Sequence, residues 1–219
     1  TEIVVEPDVV DLLPKLIWHM DEPVADPAII AAYLVNREAR KSVTVLLSGV
    51  GGDELFAGYR KHAAYDVAQK YQRIPGALRE KLIEPLLMAL PSMRGTSLKG
   101  HVRLAKKMAR SGSLSPRDYF LMNSTYLTED QKAWLCTPRV RESINGKGSW
   151  SRHLDYFEQV SGADFLNQML YLDTKAFMVS LNLTYNDKMS MASSVEVRVP
   201  YLDWQFAEWV AANVPPTMK

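Results

Sequence analysis

The residues best suited to chemistry lie together in Ser48-Gly49-Val50-Gly51-Gly52-Asp53-Glu54. Glycines at 49, 51 and 52 let the backbone take positive φ and approach a ligand closely. Backbone N–H groups presented by such a turn suit a phosphate or the rim of a nucleotide. A carboxylate in the same turn, Asp53 or Glu54, would repel phosphate unaided. A Mg²⁺ ion between them converts that repulsion into attraction. The spacing therefore describes a candidate nucleotide–metal site. It equally describes a tight turn shaped by Gly51-Gly52, with Asp53 capping the helix that follows. It is not a Walker A loop, which needs Lys-Ser/Thr after the glycines, and it is not the dinucleotide-binding fingerprint.

A second polar cluster, Asn186-Asp187-Lys188-Met189-Ser190-Met191, precedes Val195-Glu196-Val197-Arg198-Val199-Pro200. A lysine brings a mobile positive charge that can stabilise a developing phosphate charge. Lys188 fits that role and fits a plain surface lysine too. On a strand, Glu196 and Arg198 share one face and the valines the other. Charges set among valines need partners. The pair can be a structural ion pair or a contact to a ligand.

The elements around these residues read as α/β with a predominantly helical remainder. Residues 2–5 form a strand candidate, and Pro7 stands near the start of a helix. Val9, Val10, Leu12, Leu13, Leu16 and Ile17 give that helix an apolar face up to about Met20. Asp26-Pro27 opens a second helix, largely buried, to about Arg40. Val43–Leu47 has β-branched and apolar residues without alternation, as in a parallel strand covered on both faces by helices. The glycine turn follows it directly, and Leu55–Tyr59 can begin a helix. Residues 60–180 read as mainly helical, with breaks at prolines and glycines such as Pro75-Gly76, Pro116 and Pro138. Lys99–Arg110 reads as a basic, solvated helix face, and Ser143–Ser151 as a surface loop. Phe165–Leu181 has a buried-helix pattern. Asp203 caps a last helix bearing Trp204, Phe206 and Val210, which Pro215-Pro216 ends.

Composition excludes several classes. A net charge of +1 provides no bulk field for nucleic acid or an anionic membrane. Cys136 is the single cysteine, which rules out an internal disulfide, and the four histidines are scattered without zinc-site spacing. No apolar run reaches roughly 18 residues, the length that spans a bilayer. The chain starts Thr1-Glu2-Ile3-Val4-Val5, which reads as mid-strand and not as a natural initiation. A cytoplasmic piece of a longer protein is the expectation.

Three segments, in order, resemble the synthetase domain of glutamine-hydrolysing asparagine synthetases. They are Asp21-Glu22-Pro23 with Asp26-Pro27, then Leu47–Tyr59, then Asp187–Asp203. The resemblance covers essentially residues 1–219. It implies part of an ATP-pyrophosphatase-like, Rossmann-like domain with parallel strands: a nucleotide-site portion over 1–59, a helical portion over 60–180, and the polar motif, short strand and terminal helix over 181–219. It implies ATP and Mg²⁺ as cofactors and an N-terminal glutaminase domain on the same parent chain. The reaction it implies adenylates the side-chain carboxylate of aspartate, or of another small carboxylate, and passes ammonia to the acyl carbon. By the same resemblance Ser48, Gly49, Val50, Gly51 and Gly52 match the loop beside the adenylate. Asp53 matches the metal carboxylate, and Glu54 a neighbouring, structural acid. Lys188 matches a basic residue near phosphate. Glu196 and Arg198 match the polar face near the acyl substrate.

The chain departs from that pattern at Val50, where the family usually carries Glu or Asp. A valine cannot accept the proton of an incoming amine. A different acceptor carboxylate thus stands as an alternative, and so does a non-catalytic interaction module derived from the enzyme. The upstream Ser-Gly-Gly-x-Asp-Ser loop of the family does not occur in these residues, so the isolated chain is expected to be inactive. Trp204 and Trp209 are expected to face further chain, and their exposure would favour self-association, hence a possible homo-oligomer.

Overall fold

The computed structural model describes residues 9–90, 102, 106, 114–144 and 148–219. The strand candidate at 2–5 with Pro7, most of Lys99–Arg110, and residues 145–147 of the polar loop lie outside them. The architecture is mostly helical α/β with a small parallel sheet. Two compact units are distinguished: residues up to Gly58 together with Leu166–Lys219, and Tyr59–Phe165.

The first unit holds the sheet. Its elements begin with α1 (Val9–Met20), α2 (Ala28–Ala39), β1 (Val45–Leu47) and α3 (Gly52–Phe56). Asp26 Oδ1 accepts the Ala28 N–H at 2.8 Å, which starts α2 just after Pro27. The apolar core joins Leu16 and Met20 of α1, Ile29, Tyr33 and Leu34 of α2, and Met189 from much later in the chain. Each such fully buried side chain contributes about 1.5–3 kcal/mol. The outward face of α1 stays open, with Val10 and Trp18 well exposed.

β1 pairs in parallel with β2 (Glu196–Arg198), Leu46 opposite Val197. The Glu196 N–H to Thr44 O bond and the Ser48 N–H to Arg198 O bond, both 2.8 Å, extend the ladder at its two ends. Val195 is fully buried and Val197 half-buried, while Glu196 and Arg198 face outward, as the alternation predicts. The expectation of a strand covered on both faces is not met among the described residues. Leu47 is 73% exposed and Val45 is also exposed. A pleat sends alternate side chains to opposite faces, and only the Leu46 face is packed.

The second unit is helical. It contains α4 (Arg60–Gln72), α5 (Gly76–Leu78), α6 (Glu84–Ala89), α7 (Pro116–Asn123), α8 (Glu129–Leu135), α9 (Pro138–Ile144) and α10 (Ser151–Gln159). Ser115 caps α7 through the Asp118 N–H, and Thr128 with Gln131 forms a reciprocal capping box on α8. The core gathers Ala68, Tyr119, Phe120, Leu121 and Phe157. Phe120 meets Phe157 edge-on at 5.9 Å. α9 reaches Ile144 and α10 starts at Ser151, so Ser143, Ile144 and Ser151 of the expected loop are helical.

The chain re-enters the first unit through α11 (Phe165–Leu172). It then winds as a π-helix over Asp173–Leu183 before resuming α geometry in α12 (Thr184–Met191). The apolar pattern of Phe165–Leu181 predicts an ordinary buried helix, so the π winding is a departure from it. After β2 come a 3₁₀ turn (Pro200–Leu202), α13 (Trp204–Asn213), capped by Asp203 through the Phe206 N–H at 3.0 Å, and a final 3₁₀ turn.

Candidate functional site

The glycine turn leaves the carboxyl end of β1 and is held by its own backbone. Gly52 N–H reaches Gly49 O at 3.1 Å, and Leu55 N–H reaches Gly51 O at 3.0 Å. Ser48 Oγ accepts the Val50 N–H at 3.3 Å, so the serine side chain folds over the turn. The glycines have different jobs. Gly51 sits at φ 97°, and a Cβ there would stand 2.3 Å from Leu202 Cδ2, so only glycine fits. A Cβ on Gly49 would meet nothing within 4 Å, so this part of the turn faces open space.

Two expectations for the acids change. Asp53 is not the cap of α3: Gly51 occupies that position, and no side chain caps the helix. Asp53 lies within the first turn and is exposed. The second change is length. α3 stops at Phe56, because Ala57 takes a left-handed φ of 57° and its N–H returns to Asp53 O. So short a helix has little dipole to offer an anion. Glu54 is 2% exposed, its Oε1 taking a 3.0 Å bond from Asn182 Nδ2. It is a buried acid facing the π-helical stretch.

Lys188 stands on α12 and donates to Asp21, the residue just after α1, at 2.5 Å. That hydrogen bond and the adjoining charge hold the Asp21 carboxyl below its ordinary range and push the Lys188 ammonium above its own. Asp21 takes a positive φ of 59°, unusual for a residue with a side chain. One turn before Lys188, Tyr185 is pushed up by burial first, then by the charges of Asp26, Glu54 and Asp53. Residue 185 thus lies within electrostatic reach of the acids of α3. Arg198 Nε donates to Glu196 Oε1 at 2.8 Å, and both side chains are more than half exposed.

The structure joins some of the predicted residues directly. Ser48 is bonded to the backbone of Arg198, and Arg198 to the side chain of Glu196. Beside the turn a groove of about 330 Å³ is lined by Ser48, Leu46, Ala32, Asn36, Tyr185 and Asn186, among others. Lys188, Asp53, Glu196 and Arg198 do not line it. Asn182, Tyr185 and the role of Asp21 escaped the sequence reading. The motif Asp21-Glu22-Pro23 gives no sign of the lysine that Asp21 meets, and nothing in the spacing marks Asn182.

Among the described residues no cluster of three or more His, Cys, Asp or Glu could hold a metal. Mg²⁺ keeps several waters and takes one or two carboxylates together with substrate phosphates. The exposed Asp53 carboxylate fits that mode. Among the described residues no helix is long and apolar enough to cross a membrane.

A family model described as asparagine synthase matches residues 1–219. Asparagine synthetase [glutamine-hydrolyzing] 1 of Bacillus subtilis (strain 168) is 34% identical over 94% of this chain and 30% of its own length. A putative asparagine synthetase [glutamine-hydrolyzing] of Mycobacterium tuberculosis (strain ATCC 25618 / H37Rv) is 32% identical over 100% of this chain and 31% of its own. The amidase chyE of Penicillium rubens is 27% identical over 93% of this chain and 30% of its own. The chain spans about a third of the length of these curated relatives. No solved structure matches it.

Proposed function

The chain belongs to the asparagine synthase family, and from that premise we propose that it is part of the synthetase domain of an ATP-dependent amidotransferase with an ATP-pyrophosphatase-like fold. The whole enzyme adenylates the side-chain carboxylate of aspartate and gives asparagine, AMP and pyrophosphate. A glutaminase domain on the same parent chain supplies the ammonia. A carboxylate is a poor electrophile, and adenylation supplies the leaving group that makes the acyl carbon reactive.

One observation carries this reading. The turn Ser48–Gly52 leaves the carboxyl end of a parallel strand, is pinned to the neighbouring strand at Arg198, and faces open space at Gly49. Nucleotides bind outside the carboxyl ends of parallel strands. In this reading Ser48, Gly49, Val50, Gly51 and Gly52 approach the adenylate, and Lys188 balances phosphate charge. Glu196 and Arg198 border the acyl substrate. Asp53 would hold the Mg²⁺, which neutralises the phosphates when bound.

A second reading keeps the chemistry and changes the acceptor. Val50 favours it, since a valine puts an apolar side chain where the family usually has a carboxylate.

The deciding measurement is AMP formation by the full-length enzyme with ATP, Mg²⁺ and an ammonia source, with and without aspartate. Aspartate-dependent AMP together with asparagine supports the first reading. AMP with no amide product places the defect at the ammonia step, where Val50 stands. No aspartate-dependent AMP from folded enzyme rejects aspartate and leaves the second reading.

A further inference from the structure

The two sources of charge and donors in the proposed nucleotide site come from distant parts of the chain. The glycine turn leads into α3, and Lys188 stands on α12. A buried hydrogen bond joins α3 to the π-helical stretch that leads into α12: Asn182 Nδ2 to Glu54 Oε1, 3.0 Å, between residues 128 apart in sequence. Glu54 follows Asp53 directly. Asn182 lies near the end of the π-helical stretch, which continues into α12 without a break. We propose that Asn182 is a positioning residue for the nucleotide, holding Glu54 so that the glycine turn and Lys188 keep a fixed separation. This rests on the nucleotide-site reading above.

The winding of the helix is what makes the contact. Asp173, Met178 and Asn182 are the buried residues of the π stretch, five and then four positions apart. An α-helix would turn residues five apart well away from each other. A helix with i→i+5 bonds brings them onto one face. Ordinary α winding from Asp173 onward would rotate Asn182 away from Glu54 and shift the facing of α12. π-Helical turns are rare and recur at functional sites. The bond itself is of the strong kind, an amide donor to a carboxylate away from water. Its loss deprives a buried acid of a donor and weakens the tie between α3 and the stretch leading into α12. A phosphate that needs both the turn and Lys188 is bound best when their spacing is set in advance.

The test is made on the full-length enzyme with three forms: Asn182→Leu, Asn182→Asp, and Asn182→Asp combined with Glu54→Gln. The last reverses donor and acceptor while keeping the bond. The readouts are KM for ATP and kcat of AMP formation, and affinity for a non-hydrolysable ATP analogue by calorimetry. Asn182→Leu and Asn182→Asp are expected to weaken both KM and analogue affinity about tenfold, equivalent to about 1.4 kcal/mol, with kcat retained. The swapped pair is expected to recover wild-type values. A purely structural bond would lower the folded, active fraction and hence kcat, leaving KM and the analogue affinity per folded molecule unchanged, and that result overturns the proposal. If Asn182→Leu does not fold, the swap decides alone: failure of Glu54→Gln to restore the Asn182→Asp enzyme overturns it. A wild-type enzyme that neither binds the analogue nor forms AMP overturns the nucleotide-site reading as well, which separates the two failures.

Discussion

Lys188 and Asp21, 167 residues apart in sequence, form a hydrogen-bonded ion pair that ties α12 to the end of α1. The lysine is thereby aimed by a residue whose own backbone is held at φ 59°. Asp21 keeps the ammonium charged to higher pH than an ordinary lysine. The group is raised, so its charged contribution is complete below the ordinary lysine value and is lost as pH rises through the folded value. Asp21→Asn removes the main cause, and the alkaline limb of the pH–rate profile is expected to move to lower pH. Lys188→Ala is expected to cut kcat/KM for ATP by on the order of a hundredfold. An unmoved alkaline limb in Asp21→Asn would exclude Lys188 as the group that titrates there.

The glycines of the turn separate fold from function. Gly51→Ala forces a side chain into φ 97° and against Leu202, and is expected to cost about 1–3 kcal/mol of stability. Gly49→Ala meets nothing within 4 Å, and its effect on stability is expected to stay within about 0.5 kcal/mol. It should nonetheless weaken ATP binding, because the open space it fills is the ligand's. Urea unfolding and ATP-analogue titration of the two variants measure this contrast. Equal analogue affinity in Gly49→Ala and wild type would place the nucleotide elsewhere.

Glu196 and Arg198 are paired but exposed, and exposed pairs contribute about 0–1 kcal/mol. Glu196→Gln and Arg198→Ala are therefore expected to leave the unfolding midpoint nearly unchanged. Under the proposed function both should raise KM for the acceptor carboxylate at least several-fold. Variants with wild-type KM would make the pair a surface feature of β2.

In the helical unit, Glu129 at the start of α8 accepts from Lys132 and from Ser149 by side chain and backbone. The Lys132 bond foremost, then the Ser149 bonds, lower its carboxyl to about 2. A depressed acid contributes stability above its ordinary carboxylate value and loses it as pH falls through the folded value. The tie between α8 and Ser149 is expected to hold above the ordinary glutamate range and to loosen between there and about pH 2. Carboxyl chemical shifts followed through an acid titration read this directly, and a midpoint in the ordinary glutamate range would refute it.

The local record of the chain carried much of this. Strand Glu196–Arg198 was legible because period-two alternation separates valines from charges, and the same pattern put Glu196 beside Arg198. Asp26-Pro27 marked the start of α2, and three glycines marked a turn at a strand's end, because caps and positive φ depend on neighbouring residues alone. Family membership was legible in three ordered motifs. What depends on distant residues was not. That Asp53 faces outward while Glu54 is buried against Asn182 was decided by the packing of α3 on a π-helical stretch. The sequence pattern read an ordinary helix there, since apolar residues fill either winding. Lys188 became an aimed charge only when α1 delivered Asp21 to it. Gly51 proved irreplaceable only when Leu202 closed on it. Short-range preferences are written residue by residue, whereas the partner of a buried or charged group is chosen by which surfaces meet when the chain folds back on itself.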